Sequence, residues 1–270
     1  MKDLKKSVAE AINLHDWEEI INLLGKEKTN HAGTAPAHVK RKVTDWLLKE
    51  LKEDTATLRN VTSHFGNSES PSAKEICAHL ISECFGNFPE EGARLLHQIS
   101  DDENWEVREW AAGGCGEVLA KHYDTFYPVI NVWKEDESEK VRRATVLAIM
   151  YASKSLDESH APELLRILEP LMQDESDYVK KNLGAFAIGD GLLKRYPNYV
   201  ITWLKSLVES ENVNIRWNIA MVFSAAAARP FHEKGERLLA MLESDDRKPI
   251  QRAVDKARRN LEKAVKEPAK

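Results

Sequence analysis

The residues best placed for chemistry lie in the stretch from 101 to 119, DDENWEVREWAAGGCGEVL, where Glu109 stands between Trp105 and Trp110. A carboxylate flanked by two indoles can be held partly desolvated, with its pKa raised and its position fixed. Arg143, in the following segment, is expected to project toward the same face. A second set is basic: Arg108, Arg142, Lys180 and Arg216 recur at one position of a repeating pattern, and Arg143, Lys181, Trp217 and Arg252 at the next. Rows of cations and an aromatic on an otherwise acidic chain are the electrostatic footprint of a phosphate-backbone binder. Each reading has a structural competitor. Glu109 can be a solvated helix glutamate balancing Arg108 or Arg143. The first basic row can be a ladder of ion pairs that orients successive repeats. That ladder does not account for Arg143, Lys181 and Arg252, and core packing is not expected of Trp217, whereas Trp105 and Trp110, taken singly, read as core residues.

The elements that must position these side chains follow from a register. Taking Val107 as a mark, the same grammar recurs at Ala73, Val141, Val179, Ile215 and Ile250, so that successive marks stand 34, 34, 38, 36 and 35 residues apart. Four residues before each mark is an acid (Glu69, Glu103, Glu137, Glu175, Glu211, Asp246). Three before it, in all but the last, is a helix-capping residue (Ser70, Asn104, Ser138, Ser176, Asn212). A period in this range predicts stacked helix pairs in which a helix opening at each mark lines the inner surface and a second helix fills the gap. Pro89, Pro128, Pro162 and Pro197 are expected at the starts of the gap-filling helices, where a missing N–H costs nothing. Val39, followed by Lys40 and Arg41, marks a degenerate first repeat without acid or cap. The fold class expected is all-α: a right-handed α-solenoid of HEAT-like helix pairs, C-shaped with a basic concave face. It is expected to form a single domain over residues 1–270, with N-terminal capping helices and the degenerate repeat in 1–60, repeats in 61–255, and a basic C-terminal cap and tail in 256–270.

Composition narrows the class. The 270 residues are 42% hydrophobic and 31% charged with net charge −5, which fits a globular protein, and the distribution of charge matters more than its total. Apolar runs such as 146–152 are too short to span a bilayer, and the N-terminal MKDLKKSVAEAI lacks a signal-peptide core, so a cytoplasmic protein without membrane contact is expected. Cys77, Cys84 and Cys115 have no metal-ligand spacing and read as buried thiols; His79, His97 and His122 are scattered, and neither a metal nor a cofactor is expected. The glycines at 113–116 and at 184, 189 and 191 follow no strand and read as close helix contacts rather than a phosphate loop.

Three stretches, NWEVREWAA (104–112), EKVRRATVLAI (139–149) and DYVKKNLGAFAIGDGLLKRYP (177–197), resemble the HEAT-like-repeat proteins of bacterial DNA alkylation repair, the alkylpurine DNA glycosylase superfamily. The resemblance implies a monomeric stack whose basic face holds double-stranded DNA. It also implies, for active members, hydrolysis of the N-glycosidic bond of 3- or 7-methylpurines by an acidic and aromatic cluster working against the deoxyribose. Carried over by residue, Glu109 matches the catalytic carboxylate, Trp105 an aromatic of the cluster and Arg143 the backbone-contacting arginine. Loss of a cationic purine leaves an oxocarbenium-like sugar, which a fixed carboxylate and an indole face both stabilise. The chain departs from the pattern in carrying the longer Glu at 109 and Ala185 where a second tryptophan is typical. Some relatives with altered clusters look like DNA-structure binders without glycosylase activity, and a protein-binding scaffold is the alternative from another class.

Overall fold

The computed structural model describes residues 2–27 and 32–266, and among them all regular structure is helical. The start of the 30–36 loop and the last four residues of the expected tail lie outside the described residues. The chain divides into two compact units, Met1–Ile130 and Asn131–Lys270.

In the first unit the helices are α1 (Lys2–Leu14), α2 (Trp17–Gly25), α3 (Ala37–Glu50), α4 (Thr55–Gly66), α5 (Pro71–Cys84), α6 (Pro89–Ser100) and α7 (Trp105–Lys121), followed by α8 (Tyr123–Trp133), which contains the boundary. They form two layers: the mark helices α3, α5 and α7 pack side by side, and α2, α4 and α6 fill the gaps behind them. The contact between α5 and α7 is close because Gly114 has no side chain; a Cβ there would lie 2.3 Å from the Ala78 carbonyl oxygen.

The second unit repeats the plan with α9 (Glu139–Ala152), α10 (Ala161–Leu171), α11 (Asp177–Asn182), α12 (Leu193–Arg195), α13 (Pro197–Leu207), α14 (Val213–Val222), α15 (His232–Met241) and α16 (Lys248–Lys266). Between α11 and α12 the helix widens into a π-helical segment, Leu183–Leu192. The mark layer runs α9, α11 with its π segment, α14 and α16, backed by α10, α13 and α15.

The register explains both layers. Every mark is buried, from Val39 and Ala73 through Val107, Val141, Val179 and Ile215 to Ile250. The expected caps are in place: Ser70, Asn104, Ser138, Ser176 and Asn212 each accept a backbone N–H of the first helical turn through the side chain. The degenerate first repeat begins at Pro36 with no side-chain cap. Pro89, Pro162 and Pro197 sit in the first turns of their helices, but Pro128 does not: it lies inside α8, which begins at Tyr123. Pro128 is on the exposed side of the helix, while Phe126 and Ile130 turn inward.

The three cysteines are buried free thiols, and burial pushes those of Cys84 and Cys115 up to about 12.

Candidate nucleic-acid interface

Trp105 opens α7 directly after the Asn104 cap, whose Oδ1 accepts the Glu106 N–H at 3.0 Å. Its indole is 44% exposed, although taken singly it reads as a core residue. Glu109 follows four residues later, on the same face of the helix and half-buried. Trp110 turns elsewhere. Its ring and that of His79 stand perpendicular with centroids 5.0 Å apart, and the Lys40 ammonium stands over it at 4.7 Å. The arrangement on α7 is therefore one exposed indole paired with one carboxylate a turn away.

The deeply buried carboxylates of the first unit are Glu75 and Glu106. Lys40, wholly buried, donates to Glu75, to Glu106 Oε1 at 3.1 Å and to Thr34 Oγ1 at 3.0 Å, and Thr34 in turn donates to Glu106 Oε2 at 3.1 Å. Burial outweighs the attraction of Lys40 and raises Glu75 to about 7, and Glu75 Oε1 has no hydrogen-bond partner among the described residues. This cluster ties α3, α5 and α7 together through charge. Sequence reasoning passed over it, although Lys40 stands one residue after the degenerate mark and Glu75 two after the next. Beside it, α3, α5 and α7 enclose a groove of about 490 Å³ lined by Arg41, Asp45, His79, Trp110, Glu117 and Lys121. Against the opposing effect of burial, His79, at 3.0 Å, and Ser82 hold the Glu117 carboxyl below its usual range.

The first basic row is drawn into the stack. Lys74 pairs with Asp102 at 2.8 Å, Arg142 with Asp174 at 2.7 and 3.2 Å, and Arg216 with Asp245 at 2.7 Å, each acid belonging to the turn before the next mark. Arg108 donates to the carbonyls of Asp102 and Glu103. The Lys180 ammonium lies over the half-buried Trp217 ring at 5.4 Å and 3.7 Å from Asp177. Asp174 holds the Arg142 guanidinium above its ordinary range, and the hydrogen bond from Arg247 takes Asp245 down to about 2.

The second row divides. Arg143 is only 6% exposed, because α11 packs over α9 and lays the Tyr178 ring across the guanidinium at 4.7 Å. Lys181 projects outward, its side chain 74% exposed and 3.9 Å from Asp177, and Arg252 is also exposed. Arg252 belongs to a longer row on α16: Lys248, Arg252, Lys256, Arg259 and Lys263 are all exposed at intervals of 4, 4, 3 and 4, hence on one face. That face is about 22 Å long. Arg258, off this face, is instead paired with Glu236 and Glu243.

Among the described residues, no helix is long and apolar enough to cross a membrane. Among the described residues, no group of three or more His, Cys, Asp or Glu side chains is placed to hold a metal ion.

By sequence, the model of HEAT repeats matches residues 92–189, and no curated protein matches the chain. By structure, the chain is similar to AlkD2 from Streptococcus mutans, with a TM-score of 0.60 at 20% identity over 78% of this chain and 97% of that one. It is also similar to smu.31 from Streptococcus mutans UA159, with a TM-score of 0.47 at 22% identity over 78% and 94%. The chain thus has the HEAT-like-repeat fold of AlkD2, in agreement with the resemblance drawn from its three stretches.

Proposed function

We propose that this HEAT-like-repeat chain is a double-stranded DNA-binding protein of the DNA alkylation repair type. The observation that carries the reading is the outward row on α16, with Lys181 exposed on α11 of the same layer. A chain of net charge −5 gathers cations at helical spacing on one surface, where they reach phosphates and release counterions. Arg108, Arg142 and Arg216 serve the stack, and Lys180 supports Trp217; the phosphate contacts fall to Lys181, Arg252 and the rest of the α16 row.

The finer reading is excision of 3- or 7-methylpurines by hydrolysis of the N-glycosidic bond. The exposed Trp105 and the half-buried Glu109 support it. Cleavage of that bond leaves the pair of electrons on the departing purine and positive charge on the deoxyribose. The Glu109 carboxylate stabilises that charge and orients the water that attacks C1′, and the indole face of Trp105 adds to the stabilisation. The burial of Arg143 favours a second reading, in which the chain binds DNA without excising bases.

Titration of a labelled duplex at two salt concentrations tests the DNA reading. Binding is expected to weaken steeply with salt and to collapse in Lys181→Glu/Arg252→Glu/Lys256→Glu; absence of binding at low salt leaves a protein-binding scaffold. Release of methylpurine from alkylated duplex tests the chemistry. Glu109→Gln is expected to abolish it while leaving duplex affinity unchanged, and undiminished release would exclude Glu109 as the essential carboxylate.

A further inference from the structure

In the second unit, the layer that backs the mark helices carries a groove. Its walls are α10 and α13, which stand side by side, with Trp203 Nε1 donating to Glu169 Oε2 at 3.0 Å. The groove has a volume of about 520 Å³ and is mostly apolar. Pro162 and the buried Leu165 come from α10, and Tyr199 and Trp203, one helical turn apart, from α13. Tyr199 is 39% exposed and Trp203 half-buried, so both rings keep area in contact with solvent.

Arg166 is the charge of this groove that lacks a partner. It is exposed, and among the described residues it makes no hydrogen bond, ion pair or ring contact. Glu169, three residues on, is engaged by the Trp203 indole. In the corresponding groove of the first unit, between α4 and α6, the arginine is satisfied from within. There Arg59 donates to Glu91 at 2.9 Å and lies over the Phe88 ring at 5.6 Å. Glu91 is the second residue after the proline that opens α6, whereas the second after the proline that opens α13 is Tyr199. The second unit thus sets an aromatic ring where the first has an acid, and its arginine is left to be paired from outside.

Tyrosine, tryptophan and arginine are the residue types that most often dominate binding energy at protein interfaces. A free guanidinium pairs best with a carboxylate, through two parallel hydrogen bonds. A groove between two helices of one layer is also where a third helix packs. From Pro162 to Glu169 it runs along seven residues of α10, about 10 Å, which matches two turns of a partner helix. We infer that the groove between α10 and α13 docks an acidic amphipathic helix of a partner protein. Its apolar side chains, at i, i+3 or i+4 and i+7, cover Leu165, Tyr199 and Trp203, and its carboxylate pairs with Arg166. The groove shares no residue with the α16 row or with Trp105 and Glu109, so the inference stands apart from the DNA reading.

The test starts from a phage-displayed library of random peptides about 16 residues long, panned on the immobilised full chain. The selected peptides are expected to carry Asp or Glu among apolar residues at helical spacing. Fluorescence anisotropy then measures the affinity of one labelled peptide for the chain and its variants. Arg166→Glu and Tyr199→Ser are each expected to weaken binding about tenfold or more. Arg166→Lys, which keeps the charge but not the fork, is expected to cost less. Neither Arg166→Glu nor Tyr199→Ser is expected to change duplex affinity, and circular dichroism checks that both fold. Lys181→Glu/Arg252→Glu/Lys256→Glu is expected to bind the peptide as the wild type does. A peptide unmoved by Arg166→Glu and Tyr199→Ser, or one lost in the triple variant because the basic α16 face held it, overturns the inference. So does a selection that enriches basic sequences or none.

Discussion

At the residue scale, burial decides what each ionisable group does. Glu75 and Glu109 occupy the same position relative to their marks, yet Glu75 is wholly buried against Lys40 whereas Glu109 stands half-buried behind an exposed indole. The raised Glu75 carboxyl makes a prediction with a definite sign. Its folded value, about 7, lies above the ordinary 4.5, so the folded protein binds the proton more tightly than the unfolded chain. Its contribution to stability is therefore complete below pH 4.5 and is lost as pH rises through about 7. Urea denaturation at pH 5.5 and 8 is expected to show a loss of order 2 kcal/mol across that window. In Glu75→Gln, which cannot titrate, the loss should largely disappear; an unchanged pH dependence in the variant would assign it to other groups.

At the element scale, charge and the absence of side chains both set how mark helices approach one another. The pairs Lys74–Asp102, Arg142–Asp174 and Arg216–Asp245 link a helix start to the turn before the next mark, which fixes the order of the stack without demanding a particular side chain at its surface. Gly114 sets the distance between α5 and α7. Gly114→Ala would drive a methyl group into the Ala78 carbonyl, which is backbone and cannot rotate aside. The expected cost is about 1–3 kcal/mol of stability, measured by chemical denaturation. Gly113, one residue earlier, has open space around it, so Gly113→Ala is the matched control and is expected to be neutral or slightly stabilising.

At the scale of the whole molecule, net charge misleads and distribution informs. Acids precede every mark from Ala73 on in the turns between helices, while α16 keeps Lys248, Arg252, Lys256, Arg259 and Lys263 facing outward along one side. If these cations contact phosphates, each contact contributes roughly 0.9 to the slope of log affinity against log salt. Arg252→Ala/Lys256→Ala is therefore expected to reduce that slope by about 2, with affinity falling similarly for duplexes of different sequence. An unchanged slope would place the DNA elsewhere on the molecule.

The repeat register was legible from residue types alone, because a capping side chain, an acid and a buried apolar mark are each required locally wherever a helix of the stack begins. Ser70, Asn104, Ser138, Ser176 and Asn212 could be assigned without coordinates for that reason, and the small residues around Gly114 and Gly184 signalled close packing. Pro128 escaped because a proline reads as a helix start unless the exposed face of a longer helix is known. What surrounds a side chain beyond its own helix was decided only by the tertiary structure. Arg143 and Lys181 hold equivalent positions in sequence, but Tyr178 on the next helix covers one and nothing comparable covers the other. Lys40, Glu75 and Glu106 are 35 and 31 residues apart along the chain and meet only when α3, α5 and α7 stack. Phe186 is exposed on a helix that widens into the π segment Leu183–Leu192, a change of register that no local residue pattern announces. Helix starts are short-range events written in adjacent residues, whereas burial and exposure are sums over neighbours that the chain brings together only on folding.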